Sequence, residues 1–422
     1  MGDESGVGGV SGQQLHVAER SATYEVLKRI EAMQWPKVPL TEAVELNPKP
    51  DRRLLTDDTE VSFVPMAAVE AGSGQIDTST VRPYAEVKKG YTHFCNGDVL
   101  FAKITPCMEN GKMAVAKNLR NGIGLGSTEF HVLRPRDGVD PHYVYHFISS
   151  RSYRSEAAHH MTGAVGQKRV PLAFLEQSQI PLPEFDEQRR IVAEIEKQFS
   201  RLDEAVAGLK RVKANLKRYT KAVIESLTDV SSVPNQIQGA IADIAISLDN
   251  LRRPVNKTER AKRPGTIPYL GANGQVGSID EYLFDEELAL VVEDETFVGR
   301  TAPFSYYFAG KCWVNNHTHV LRARTDVVTA KYLNLALSYY PFIPLTTGST
   351  GRRKLTKAAL MSAPISVPPL AEQHRIVAEV DRLLSIAREA ETEVETNFKR
   401  AEVLRQTMLN KMFSKNVASE GR

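Results

Sequence analysis

The residues best suited to chemistry are basic and sit beside glycine or proline. Arg252, Arg253, Lys257, Arg260, Lys262 and Arg263 crowd a short stretch against the single acid Glu259. That stretch carries Pro and Asn and lacks a helical apolar period, so it reads as a loop able to face phosphates. A second cluster occurs twice. Thr162-Gly163 leads through Gly166 to Gln167, Lys168 and Arg169, and Thr347-Gly348 leads through Gly351 to Arg352, Arg353 and Lys354, with Lys357 just beyond. Glycines let a backbone approach a ligand closely, and Lys or Arg beside them suits an anionic backbone. A solvated surface loop is the competing reading of either cluster, and the recurrence of the turn argues against it there. A third run, Lys210, Arg211, Lys213, Lys217, Arg218 and Lys221, lies on a long helix and reads as its solvated flank.

Catalytic motifs fail on context. Gly122-Ile-Gly-Leu-Gly126 imitates a nucleotide-binding loop but leads into a strand instead of opening a helix. Asp140-Pro-His-Tyr143 imitates the tetrapeptide with which amino-methyltransferases hold a flipped base, but its third residue is wrong and no cofactor-binding glycine motif precedes it. It reads as a turn capping the next helix. Thr350-Gly-Arg-Arg-Lys354 lacks the order of a P-loop, and no Ser/His/Asp or metal-ligand spacing stands out. The chain is expected to be non-catalytic, with no catalytic residue and no metal.

An internal repeat positions these clusters. The segment 180–195 aligns without gaps on 365–380, an offset of 185 residues with nine of sixteen positions identical. The same offset superimposes the two Thr-Gly turns, and His131-Val-Leu-Arg134 resembles His319-Val-Leu-Arg322 at an offset of 188. The chain is therefore a duplicated module. Each copy is a strand-rich block, a basic turn, a proline-marked boundary and a long helix. Apolar residues at Ile191, Ile195, Phe199, Leu202, Val206, Leu209, Val212, Leu216, Tyr219, Val223 and Leu227 step by three or four. Ile376, Val380, Leu383, Ala387, Ala390, Val394, Phe398, Ala401, Leu404, Met408 and Met412 repeat the pattern. Both are coiled-coil seams, and the simplest partner for each is the other. Connection length allows either direction, and antiparallel packing would relate the copies by a local two-fold axis. Pro183 and Pro368-Pro369 mark the helix starts, and Glu187 and Glu372 suit the first turn.

The blocks before the helices carry short apolar runs between Gly, Asn and Pro turns, which predicts strands near 97–104, 129–134, 289–292 and 317–322. Short helices are expected at 141–155 and 329–338, and a further one at 14–33. The expected organisation is a leader with an N-terminal helix (1–34), a first domain (35–185), a central helix (186–230), a second domain (231–368), a C-terminal helix (369–414) and a tail (415–422). The fold class is α+β: two mixed α/β domains with two long coiled-coil helices and an internal two-fold repeat.

Composition bounds the rest. A hydrophobic share of 42% and a charged share of 25% describe a folded chain, and 422 residues exceed one ordinary core. The apolar runs fall far short of the ~20 residues that cross a bilayer, so the expectation is a cytoplasmic protein without a membrane. The three cysteines, Cys95, Cys107 and Cys312, are too scattered for a disulfide framework or a cysteine-rich zinc site. A net charge of +3, from 54 basic and 51 acidic residues, names no partner.

With these residues in view, the chain resembles the specificity subunits of type I restriction-modification enzymes. The resemblance rests on Pro-x-x-x-Glu-Gln-x-x-Ile-Val before a long helix, at 183–192 and 368–377. It also rests on Gly97-Asp-Val-Leu-Phe-Ala-Lys103, Ile267-Pro-Tyr-Leu-Gly-Ala-Asn-Gly274 and Lys311-Cys-Trp-Val-Asn-Asn-His-Thr-His-Val-Leu-Arg322. It implies two target recognition domains held apart by an antiparallel helix pair, each reading one half of a bipartite, asymmetric site on double-stranded DNA. It implies two modification subunits bringing S-adenosylmethionine and adenine N6 methylation. Restriction subunits would add ATP- and Mg-dependent translocation and cleavage, with no cofactor on this chain. The alternative is a catalytically active DNA methyltransferase or fused nuclease. A 42-residue helix would run about 60 Å, longer than the ~35 Å of one DNA turn. Candidate base readers are Asn315, Asn316 and His317 in the second block and Ser127, Thr128 and Glu129 in the first, which read equally as hydrogen-bonded strand ends. The phosphate-facing candidates are Gly163, Gly166, Gln167, Lys168, Arg169, Arg252, Arg253, Lys257, Arg352, Arg353, Lys354 and Lys357. The helix-pair and subunit interface is expected at Ile191, Ile195, Leu202, Leu209, Leu216, Ile376, Val380, Val394, Leu404 and Met408.

Overall fold

The computed structural model describes residues 35–49, 55–164, 166–295, 297–348 and 353–413. The leader and helix expected at 1–34, the tail from 415 and Arg352 lie outside the described residues. By its contacts the chain divides into two units, one of residues 1–207 with 398–422 and one of residues 208–397. The boundary crosses both long helices near their middles, so each unit owns half of each helix. The sequence reading had set the helices apart as separate segments.

The first unit holds two four-stranded sheets. Strands β1 (Val44–Leu46), β2 (Glu60–Val64), β3 (Val81–Pro83), β4 (Thr92–Cys95), β5 (Val99–Ala102), β6 (Met113–Val115), β7 (Ile123–Gly126) and β8 (Phe130–Pro135) assemble in the orders β1-β8-β5-β6 and β3-β2-β7-β4. Of the glycines of the nucleotide-loop imitation, Gly124 and Gly126 belong to β7, and Gly122 ends the turn before it. A Cβ on Gly126 would lie 2.1 Å from the Val64 carbonyl oxygen, and one on Gly124 would meet the Phe94 ring at 2.2 Å. They are bare so that neighbouring chain can close on β7, with no phosphate role.

Helix α1 (Pro141–Ser149) follows, then α2 (Arg151–His159). The expected single helix at 141–155 is broken at Ser150, whose hydroxyl accepts from Tyr153 N and caps α2. The first long helix, α3 (Phe185–Thr228), spans 44 residues.

The second unit holds one six-stranded sheet, β9 (Ala245–Ser247), β10 (Ile267–Gly271), β11 (Gly274–Ile279), β12 (Phe284–Val292), β13 (Ser305–Val314) and β14 (Thr318–Ala323), in the order β9-β14-β12-β13-β10-β11. Helix α4 (Ala330–Ser338) covers it, and α5 (Leu370–Phe413) spans 44 residues. At 1.5 Å per residue α3 and α5 each run about 66 Å. No described helix is long and apolar enough to cross a membrane.

Within each unit the helix pair is antiparallel. In the first, Ile191 and Ile195 share a core with Leu409, Met412 and Phe413, while Asp203 pairs with Arg405. In the second, Ile224 shares a core with Ile376 and Val380, while Lys213 pairs with Glu395. Leu404 is a correction. It is 43% exposed, as are Val212 at 44% and Tyr219 at 43%. A regular alternation of four and three places Arg405, Lys213 and Thr220 in the seam instead, because polar residues can fill it when paired. The Arg405 guanidinium lies over the Phe199 ring, 4.3 Å from its centroid, and so keeps its stem in the apolar layer. Ile191, Ile195, Ile376, Val380, Val394 and Met408 are buried, and Leu202, Leu209 and Leu216 are half-buried.

One buried side chain sets the start of each long helix. Gln188 accepts from Asp140 N (2.9 Å) and donates to the carbonyls of Gly138 (3.1 Å) and Pro183 (2.9 Å). Gln373 does the same with Thr329 N (2.9 Å), Val327 O (2.8 Å) and Pro368 O (2.9 Å). Both are at most 1% exposed. Gln373→Ala should therefore strand three buried backbone groups and lower unfolding stability by about 2–4 kcal/mol. Glu372→Gln breaks only an exposed pair with Arg375 and should cost under about 0.5 kcal/mol. Urea unfolding of the two variants checks the contrast.

Candidate nucleic-acid interface

Each Thr-Gly turn is pinned at its base by a pair of residues. Thr162 and Arg169 exchange backbone hydrogen bonds at 3.0 and 2.8 Å, and Thr347 and Lys354 do so at 2.9 and 2.7 Å. Gly163 has φ 122° and Gly166 φ 83°, in the region that glycine alone enters cheaply. The turns are anchored from below by their following residue. Val170 donates its N–H to Lys103 O, and Leu355 donates to Glu293 O, both at 2.8 Å.

The two sets of candidates meet. In the first unit Glu129 accepts a forked pair of hydrogen bonds from Arg169, 2.9 Å from Nε and 2.7 Å from Nη2. Arg169 beside it holds the Glu129 carboxyl below the usual carboxylate range. Ser127 Oγ accepts from Glu129 N at 3.2 Å, and Thr128 is exposed at the tip. In the second unit Asn315 Oδ1 accepts from His317 N at 2.9 Å, and His317 Nδ1 lies 2.5 Å from Asp294 Oδ1. Asp294 pairs in register with Lys354. Asn316 is exposed at the tip, in the place of Thr128. Lys168 and Lys357 are exposed on the turns or just after, whereas the Arg353 guanidinium is bonded to Thr346, 2.6 Å to Oγ1.

Beneath each turn lies a histidine clamp, facing an amide in one copy and a carboxylate in the other. His131 Nε2 donates to Val170 O at 3.0 Å, and its Nδ1 faces the Asn47 amide at 3.3 Å. Burial pushes the His131 imidazole down, so the ring is uncharged at neutral pH. His319 Nε2 donates to Leu355 O at 2.8 Å, and its Nδ1 faces Asp249 Oδ2 at 2.6 Å. Arg252 donates from Nη1 to Glu293 at 2.5 Å and to Thr318 O at 2.8 Å. Burial raises the Asp249 and Glu293 carboxyls, but His319, Arg252, the Val320 amide and Lys354 outweigh it and hold both below the usual range. Asp249, Glu293 and His319 are close enough to chelate a cation. Arg252 and Lys354 already occupy the acids, so the cluster is an internal salt-bridge network.

The basic stretch is half structural, and it is not all loop: Lys257–Ala261 form a short helix capped by Asn256. Arg252, expected to face phosphate, is buried in that network because two acids beneath the sheet surface require a cation. Arg260 stacks on Tyr269 at 4.5 Å and Arg263 on Trp313 at 4.9 Å, and Arg263 also pairs with Asp280 and Glu281. Arg253, Lys257 and Lys262 are exposed and carry no ion pair among the described residues. The methyltransferase imitation also resolves as structure. Asp140 caps α1 by accepting from His142 N and Tyr143 N. Tyr143 is fully buried, its hydroxyl donating to Pro181 O at 2.7 Å, and so offers no face to a base. Sequence reasoning missed Asn47, Asp249 and the two glutamines. Asn47 and Asp249 share a place in the repeat but are hidden by unlike residue types, whereas the glutamines stand in the repeated Glu-Gln motif and only their buried anchoring was invisible.

Three comparisons bear on this geometry. The family model described as the type I restriction modification DNA specificity domain matches residues 33–218 and 238–396. Over 159 residues, 37% of this chain, it is 43% identical to the EcoAI type I restriction enzyme specificity subunit of Escherichia coli. Over 164 residues, 39% of the chain, it is 42% identical to the EcoEI specificity subunit of the same species. Each match spans 27% of the relative, so these alignments reach about a quarter of those proteins' length. A chain from a solved structure concerned with complex assembly and conformational transition of a type I R-M system superimposes with a TM-score of 0.69. It is 20% identical and covers 91% of this chain and 98% of that one, a likeness of fold.

Two outcomes follow from the clamps. Arg252→Ala removes the cation shared by two buried acids, leaving Asp249 with His319 and Glu293 with Lys354, and should lower stability by about 2–4 kcal/mol, while Lys257→Ala should leave stability within about 0.5 kcal/mol; thermal unfolding separates them. His131 is neutral when folded but takes a proton near pH ~6.5 when unfolded, so its share of stability is whole above that pH and falls below it. The loss should approach about 1.4 kcal/mol per pH unit. Amide exchange at Val132 and Val170 between pH 7.5 and 5.5 should show weakening protection, and constant protection would contradict the assignment.

Proposed function

The chain belongs to the type I restriction-modification DNA specificity family, and from that premise we propose that it is the non-catalytic, DNA-reading subunit of such a system. Each unit's block takes one half of a bipartite, asymmetric site. The observation that carries this reading is the meeting, in both copies, of the paired base of a basic turn with an exposed strand turn. Arg169 is bonded to Glu129, next in the chain to Thr128, and Lys354 pairs in register with Asp294, whose side chain meets His317, next to Asn316; exposed Lys168 and Lys357 would contact phosphate near groups that can reach base edges. The frame beneath is alike in the two copies, while the tips differ, which suits two different half-sites on one scaffold.

The long helices supply the docking surface for two modification subunits, which carry S-adenosylmethionine and the adenine N6 chemistry. Restriction subunits, with ATP and Mg, join through them. The chain itself binds no such cofactor on this reading. The enzyme alternative loses its motif, since Asp140 caps helix α1 and the buried Tyr143 hydroxyl is bonded to Pro181 O.

Co-expression with the cognate modification subunit, followed by base-resolution mapping of methyladenine, should give two short motifs separated by a fixed gap. A single continuous motif, or none, would sink the reading. Lys168→Ala and Lys357→Ala should each weaken binding to all sequences and lower the salt slope by up to about one unit.

A further inference from the structure

Two turns meet in the second unit. Strand β10 pairs in parallel with β13, Leu270 beside Val314, and Asn315 N donates to Leu270 O at 2.9 Å. Gly271 follows, its carbonyl accepting from the Tyr306 hydroxyl at 2.6 Å, and a Cβ there would stand 3.1 Å from Asn315 Nδ2. The missing side chain lets the 315–317 turn pack closely on the end of β10. Gly271 then pairs with Gly274, so Ala272 and Asn273 alone form the tip of the β10–β11 hairpin. Ala272 is buried and Asn273 is exposed.

The Asn273 amide has a fixed sense. Arg300 Nη2 donates to Asn273 Oδ1 at 2.8 Å, and Arg300 is itself held by the Pro303 carbonyl, 3.2 Å from Nε and 2.8 Å from Nη2. A guanidinium only donates, so the amide oxygen must face it, and Nδ2, which has no partner among the described residues, points the other way. Asn315 is spent differently, its Oδ1 accepting from His317 N at 2.9 Å and from Thr318 Oγ1 at 3.3 Å. The frame does not demand such a tip. In the first unit Ser127 N donates to Val64 O at 3.3 Å, as Asn315 does to Leu270, but the chain beyond Val64 makes one 3-10 turn, Met66–Ala68, and Ala67 stands where Asn273 does. An amide braced by an arginine belongs to the second copy.

We propose that Asn273 is a specificity-determining residue of the second unit, its Nδ2 hydrogens reading an acceptor on a base edge, with Arg300 as the positioning residue. This rests on the proposed DNA-reading role and extends the reading surface from the 315–317 turn to the neighbouring hairpin. In the major groove guanine offers N7 and O6 as acceptors and thymine offers O4, whereas cytosine offers only its amino group. The second unit therefore requires guanine or thymine at one position of its half-site and rejects cytosine. The brace matters because an amide free to rotate presents its oxygen as readily as its nitrogen and accepts either class of base.

The test uses the complex of the full chain with its cognate modification subunit. Mapping of methyladenine defines the wild-type motif, and competition binding then ranks duplexes substituted one pair at a time across each half-site. Asn273→Asp keeps the shape, the acceptor for Arg300 and a residue suited to the hairpin tip, and exchanges the two donors for an acceptor. It should weaken the wild-type site at least about tenfold and move the preference at one position of one half-site to cytosine or adenine, whose amino groups donate. Asn273→Ala should relax that same position. Arg300→Met should relax it too while every other position keeps its preference, an effect that lost packing would not confine to one base pair. The other half-site reports that each variant is folded. An unchanged base preference in Asn273→Asp, beside a two-part wild-type motif, overturns this proposal alone, whereas a single continuous wild-type motif overturns the DNA-reading role as well.

Discussion

Each long helix is fixed at its start by a buried primary amide. A glutamine there presents one acceptor to the N-cap amide of the short helix and two donors to carbonyls, one of them in its own lead-in turn. Glutamate would aim an oxygen at both carbonyls and bury a charge, and asparagine would be a methylene short. The contact therefore fixes residue type as well as position. It couples three things that otherwise have no covalent reason to agree: the short helix, the proline-marked boundary and the first turn of the 44-residue helix. The strand turns and basic hairpins hang on the same block, so their aim relative to the helix depends on this one amide.

The copies differ above that anchor in an ordered way. The histidine clamp is built twice with the same carbonyl partner, yet Asn47 faces one ring and Asp249 the other. The aspartate requires Arg252, and the second network then spreads to Glu293 and Lys354, which is part of the hairpin itself. In the first copy the hairpin cation, Arg169, reaches outward to Glu129 on the strand turn instead. Two differences in the frame, Asn47 against Asp249 and Lys103 against Glu293, accompany a hairpin charge drawn sideways in one copy and inward in the other. Two surfaces of different character arise from the same hydrogen-bond geometry.

Periodic features were legible in the sequence and singular ones were not. The long helices came from a repeated apolar step over many turns, and their bounds shift by only a residue or two. The cap at Asp140 was legible because the chemistry is local. The seam positions Lys213, Thr220 and Arg405 were not, since a rule that follows apolar residues steps over a polar one and selects Leu404. Arg252 was misread for the same reason in charge: a loop sequence shows its cations but not the acids folded beneath them. The equivalence of Asn47 with Asp249 needs the backbone, because three-residue strands leave too little pattern to align.

That last failure explains why net charge was uninformative. In the basic loop Arg252, Arg260 and Arg263 are consumed by acids or aromatic faces, and only Arg253, Lys257 and Lys262 remain exposed without an ion pair. A cation already paired in the folded chain must break that pair to reach a phosphate, whereas a free one need only shed its water and counterions. Attraction to a polyanion is therefore set by the unpaired minority. On the proposed reading this is also what permits discrimination. Few free cations keep non-specific attachment weak, so contacts at exposed tips such as Thr128 and Asn316 can decide between sequences.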